Sequence, residues 1–349
     1  MANYDELISR LYESGHKYRK ELLVMPLAQL KPILQHMTLR LGVRGKESVG
    51  ELDTDAEVAP FTGEKNASDN TGIDLRDLET FHGSVVKEFI PSQLSSTIYG
   101  NAVSTTPTET DIVRAIALRM AQRATNKFRV NLFKAVRNPS GKKTQDLFNG
   151  FATIINKDKT AGKISSEKGN MTDLGELTRA NVVDKLKAYY QDGLTEELQE
   201  EENAKMFLPT NIYNLYNDGF QDEFGHVPFN TEYKKTFLLG TDNHCQLVPM
   251  SGLRGTGKII TTTKSNMLIG ADQMGDIERV LIRPCDNPFA VQFVMELYFG
   301  VQIESLSKEI FNVGEFTLPS GTAAEPSENP GSQEDPEGTE GTEGTETGS

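Results

Sequence analysis

Eight consecutive odd positions late in the chain, Phe289, Val291, Phe293, Met295, Leu297, Phe299, Val301 and Ile303, are apolar, with Gln292, Glu296, Gln302 and Glu304 among the residues between and after them. A period of two puts alternate side chains on opposite faces of a strand. At ~3.3 Å per residue this strand runs ~50 Å, well beyond the usual strand. Its apolar face has to be covered along that whole length. One upstream segment has the matching reach. Thr108 stands three residues before Asp111 as a capping box, and the chain then runs without Gly or Pro to Asn138, ahead of Pro139 and Gly141. A helix of ~30 residues spans ~45 Å. Val113, Ala117, Met120, Ala124, Phe128 and Leu132 form its apolar stripe. Arg119, Arg123, Lys127, Lys134 and Arg137 fall within ~80° on the other side. A long helix on a long strand makes an elongated α+β plate rather than a globule built around a pocket.

Other segments project from that plate. The first 45 residues read as an arm: Leu7, Ile8 and Leu11 have helical spacing, and Pro26 and Pro32 interrupt the apolar stretch that follows. Residues 44–74 are polar and poor in aliphatics, with flanks able to pair as strands; FHGSVVKEFI (Phe81–Ile90) is the clearer one. A long β-hairpin excursion fits better than a structureless loop of ~30 residues. Between Gly150 and Asp286 the pattern is mixed α/β. FNGFATII reads as a strand, LTRANVVDKLKAYY as a helix opened by Thr178 or Asn181, MFLPTNIYNLYNDGF as a strand entering a short helix, and Glu196–Glu202 as an acidic linker. GKIITTTKSNMLIGAD supplies strand material with Gly turns on both sides.

Charge divides the chain in the same way. The 349 residues carry 36 Lys+Arg and 50 Asp+Glu, a net −14, which argues against a protein whose whole surface grips nucleic acid. Eight of those acids lie in residues 320–349, a tail with no base and no aromatic or branched aliphatic residue, whose expected state is disorder. The expectation is that this tail points away from any bound DNA, since phosphate repels it. Two cysteines exclude a disulfide scaffold and favour a reducing compartment. No apolar run reaches the ~18 residues of a membrane span. MANYDELISR has no apolar signal region, so the sequons at Asn66 and Asn170 carry little meaning.

Catalytic and metal patterns fail on chemistry. Gly252–Lys258 (GLRGTGK) satisfies the phosphate-loop spacing, but Ile259 replaces the Ser or Thr that ligates magnesium, and a strand-like IITTT follows instead of a helix. A Gly-rich turn is the simpler reading. His244 and Cys245 are adjacent, Cys285 is distant and His226 stands alone, so zinc spacing is missing. DNTGID (Asp69–Asp74) lacks the Glu that closes a calcium loop, no G-x-S-x-G elbow occurs, and Glu278 and Asp286 have no acid–base partner. Neither a cofactor nor a metal is expected, and the chain is not read as an enzyme. The basic stripe of the long helix is the one site-like feature, suited to phosphates or to acids of a neighbouring subunit. In the arm, Tyr12, His16, Tyr18, Arg19 and Lys20 interleave aromatics with bases, a weaker pattern of the same kind.

The layout also resembles a known family. The arm, the polar hairpin ending in DLETFHGSVVKEFIPSQL, the capped helix, FNGFATIIN, AKMFLPTNIYNLY, MLIGADQMGDIERVLI and a last strand FVMELYFGVQI follow in the order of the tailed-bacteriophage major capsid proteins, the Hong Kong phage capsid fold. That resemblance covers roughly Met1–Pro319. It implies an N-terminal arm (1–45), an extended loop (46–85), a peripheral domain (86–149 and 287–319) with a spine helix over 108–138, an axial domain (150–286) and the tail (320–349). It further implies hexamers and pentamers closing into an icosahedral shell around double-stranded DNA, located in the virion capsid after assembly in a bacterial host's cytoplasm. A separate scaffolding protein, a portal and decoration proteins are the implied partners, with no membrane. Some members cross-link a loop Lys to an Asn of the peripheral domain; Lys65 and Asn287 are the candidates here, though no catalytic Glu matches. An encapsulin-type compartment enclosing protein cargo is the alternative within the same fold.

Overall fold

The computed structural model describes residues 31–54, 71–90, 119–120, 122–124, 126–225, 237–241, 243–272, 280–284 and 290–319. The arm up to residue 30, the hairpin tip, the first part of the long helix and the acidic tail lie outside the described residues.

The long strand is present as β11 (Val291–Ile303), the spine of a five-stranded sheet. It pairs antiparallel with β4 (Phe81–Phe89) along residues 291–299, with β10 (Val280–Pro284) along 291–295, and with β9 (Met267–Ala271) along 299–303. β1 (Thr38–Leu41) adds to β9 in parallel. The alternation is real: Phe293, Met295, Phe299, Val301 and Ile303 are buried, while Gln292, Glu296 and Gln302 are partly exposed. Two readings change here. The end of the expected arm, Thr38–Leu41, is a sheet strand. Phe81–Phe89 is no hairpin flank; the hairpin pairs β2 (Lys46–Thr54) with β3 (Thr71–Glu79), and Phe81–Phe89 pairs with the long strand instead.

The second five-stranded sheet runs β5 (Met171–Glu176), β12 (Phe311–Thr317), β8 (Lys258–Thr262), β6 (Lys205–Pro209), β7 (Gln246–Met250). Sheet membership thus crosses the expected domain borders. β9 and β10 join the long-strand sheet, and β12 joins the other. Short apolar strands such as β9, buried at every position, carry no sign of which sheet they enter. One core links both sheets, through Met267, Ile269, Phe299 and Val301 on one side and Phe207, Ile260, Phe311 and Val313 on the other.

Lys31–Leu34 is a single helical turn, α1. The long helix, α2, is helical at 119–120, 122–124 and 126–131. It covers the strand as expected: the Phe128 ring lies 4.8 Å from Phe299, and Phe148 lies 4.8 Å from Phe299 on its other edge. It stops at Asn131 rather than Asn138, for a hydrogen-bonding reason. FNGFATII is not a strand but opens helix α3 (Phe151–Thr160). The free N–H groups of Gly150, Phe151 and Ala152 donate to the carbonyls of Ala135, Leu132 and Phe133 at 2.8–3.2 Å. The C-terminal end of α2 and the N-terminal end of α3 satisfy each other. Gly150 is required there, because a Cβ would lie 2.4 Å from the Phe133 carbonyl carbon.

Of the remaining three helices, two occur where the sequence places them and one does not. α4 (Val182–Gly193) opens at Asn181, whose Oδ1 accepts from the Thr178 N–H at 2.8 Å. α5 (Glu196–Glu200) replaces the expected acidic linker, held by buried Leu198. α6 (Thr210–Phe224) leaves β6 directly. α4 and α6 share a core of Leu186, Tyr189, Ile212 and Tyr216 over the second sheet.

Candidate assembly and anion-binding surfaces

The polar hairpin is fixed to the body at its root. Arg76 on β3 is buried, and its Nη2 meets Asp158 of α3 at 2.6 Å and Gln302 Oε1 of β11 at 3.1 Å. Gln302 Nε2 donates in turn to the Asp77 carbonyl at 2.7 Å. Thr80 donates its hydroxyl to the Val43 carbonyl at 2.9 Å and accepts from the Gly45 N–H at 3.0 Å. Val43, Val49, Leu78 and Leu268 close a small apolar core beneath it. The hairpin crosses the sheet over a cross-strand glycine pair, Gly270 and Gly300. A Cβ on Gly300 would fall 1.9 Å from the Glu79 carbonyl oxygen, and one on Gly270 2.7 Å from Thr80. Beyond this root Asp74 and Leu75 face solvent, with Leu75 63% exposed.

The expected basic face is only partly assembled. Arg119, Arg123 and Lys127 are exposed on α2 at four-residue spacing, so they share a side of the helix. Lys134 lies past the helix end, in the turn that follows. Arg137 leaves the group: its guanidinium sits 3.6 Å over the Phe81 ring and donates to the Leu147 carbonyl at 3.0 Å. It staples the α2–α3 connection to β4, because the chain turns inward where a continued helix was expected. Lys65 and Asn287 lie outside the described residues, as do Tyr12, His16, Tyr18, Arg19 and Lys20.

A cation that sequence reasoning passed over takes the place of Arg137. Arg254, in the Gly252–Lys258 turn, is exposed beside Lys134. Burial first, and then the Arg254 charge, hold the Lys134 amine below its ordinary value. The turn packs on the end of α2: a Cβ on Gly252 would touch the carbonyls of Val130 and Arg129 at 3.0 and 3.1 Å. The remainder of the phosphate-loop pattern has a structural role. Lys258 is buried and its Nζ binds Glu315, which also receives Lys159 at 2.6 Å. The amine that would have held a phosphate is therefore already occupied.

Other sequence candidates stay apart. Among the described residues, no group of His, Cys, Asp and Glu can hold a metal ion, and no helix is long and apolar enough to cross a membrane. Cys245 is a buried free thiol. Asn170 of one sequon is buried, bonded to the Lys163 and Leu306 carbonyls. His226, Glu278, Cys285 and Asp286 lie outside the described residues.

No protein-family model matches the sequence, and no curated protein sequence does. Solved structures do match. A chain of the satellite phage P4 procapsid, in a structure including size determination (Sid) protein, aligns over 91% of this chain and 92% of its own at 11% identity and a TM-score of 0.53. The capsid of an empty GTA particle aligns over 81% and 88% at 14% identity and 0.49. The SrpI encapsulin of Synechococcus elongatus PCC 7942 aligns over 81% and 86% at 10% identity and 0.46. By its likeness to the P4 procapsid chain over nearly the full length of both, the chain, with its long strand, rooted hairpin and strand-packed helix, has the tailed-phage capsid fold, the Hong Kong phage fold.

Proposed function

We propose that this chain is a major capsid protein, many copies of which form the hexamers and pentamers of an icosahedral shell around packaged double-stranded DNA. The observation that carries the reading is the likeness to the P4 procapsid chain, which runs through nearly the full length of both. The rooted hairpin supports it physically. Two nine-residue strands, pinned at one end by a buried ion pair, pair only with each other among the described residues. A neighbouring copy supplies the surface that such an excursion needs. Its role is structural rather than enzymatic. A separate scaffold, a portal and decoration proteins are further partners of the proposal, and the virion is its location.

Within that shell, the Arg119, Arg123 and Lys127 face meets phosphates without base specificity. The test is charge reversal of the three together. Shells are expected to form and to retain less DNA; unchanged DNA content rejects the DNA contact. Shells filled with one protein cargo and no DNA would instead establish the encapsulin-type compartment. Ladders resistant to denaturant, lost in Lys65→Arg or Asn287→Ala, would add the cross-link.

A further inference from the structure

Arginine pairing divides the described surface. Arg40, Arg44, Arg76 and Arg179 each pair with a carboxylate, and Arg137 is held by a ring and a carbonyl. Arg119, Arg123, Arg129 and Arg254 have no carboxylate among the described residues, and all four are exposed. With Lys127 and Lys134 they follow α2 and the turn packed on its end. So many unneutralised cations along ~20 Å of helix attract an extended anion.

The chain carries such an anion, and the last described residues before it lie beside the same turn. β12 ends beside the same turn: the Phe316 N–H donates to the Gly257 carbonyl at 3.0 Å, three residues from Arg254. Described residues end at Pro319, and the next 30 residues hold eight acids and no base. Glu325 is nine residues past Phe316, so it reaches up to ~30 Å from that anchor, enough for Lys134 and Arg254. Glu328, Glu334, Asp335 and Glu337 follow, with chain to spare for the length of α2.

We propose that the acidic tail, residues 320–349, docks on the basic face formed by Arg119, Arg123, Lys127, Lys134 and Arg254 of its own subunit, and that a nucleic-acid polyanion must displace it. The proposal starts from the Phe316–Gly257 contact beside these cations and stands as the alternative to a tail that points away from DNA. Docking needs no fixed conformation, since charge rather than shape is matched, and it weakens with salt.

The site is independent of shell formation and is tested separately from it. Full-length protein is treated with a zero-length carbodiimide reagent, which joins carboxylates to amines in contact, and the products are mapped by mass spectrometry. Tail acids are expected to join Lys127 and Lys134, and the products should fall at least fivefold in high salt or with excess 30-base-pair duplex. Cross-links scattered over other lysines, or confined to pairs between isotopically distinct copies, would overturn the proposal. A binding measurement separates docking from bulk charge. Removing residues 320–349 should tighten duplex binding about tenfold at low salt. In the Lys134→Glu/Arg254→Glu background the same deletion should gain less than about twofold. An equal gain in both backgrounds would mean that the tail acts only through net charge, and the docking site would be rejected. Shells seen by microscopy in all four variants would leave the capsid reading intact whichever result is obtained.

Discussion

At the scale of single residues, Arg76 joins the hairpin to the body. Its side chain is 5% exposed and that of Asp158 15%, so truncating the arginine strands a largely buried carboxylate. Arg76→Ala should cost about 3 kcal/mol in urea unfolding of the subunit, with a surface control such as Lys46→Ala near zero. Glu315 sets an acid limit. Burial alone would raise its carboxyl, but hydrogen bonds from Lys159 and Lys258 outweigh it and hold the group below its ordinary 4.5. A depressed carboxylate stabilises the fold above its unfolded value, and that contribution is lost as pH falls through the folded one. Melting temperature should therefore drop as pH is lowered below about 4.5, and less steeply in Glu315→Gln. Burial pushes the Cys245 thiol up to about 12. In a Cys285→Ser background, a disulfide reagent at neutral pH should label Cys245 only on unfolding.

At the scale of elements, α2 meets β11 through an aromatic cluster. Phe128 stacks against Phe148 and Phe299 in the core, and Phe128→Ala should destabilise the subunit by about 3–5 kcal/mol in chemical denaturation. The pairing was legible because both segments are strongly periodic in sequence, and a long apolar strand face admits few coverings. The rooted hairpin was legible in outline from polarity. Its partner strands were not, since β3 and β4 are separated by the single residue Thr80 and only the crossing at Gly270 and Gly300 shows where one sheet ends. α3 was misread as a strand because Phe and Ile favour strands in isolation, whereas here three N–H groups cap the preceding helix. That junction also removes Arg137 from the basic face. Arg254 replaces it through a contact between positions more than a hundred apart, which no local pattern records.

At the scale of the whole molecule, the subunit presents a pinned hairpin and an unpaired cationic helix face outside any core of its own. On the proposals above, a neighbouring copy covers the first and a polyanion the second. Gly300→Ala probes their geometry together, because a methyl 1.9 Å from the Glu79 carbonyl must lift the hairpin root. It should leave a folded subunit, by circular dichroism, that closes shells poorly or in altered sizes. The central claim is tested most directly by electron microscopy of the full-length protein expressed with its scaffold. Closed particles with pentameric and hexameric clusters are predicted. A subunit that stays monomeric under every assembly condition would contradict the account.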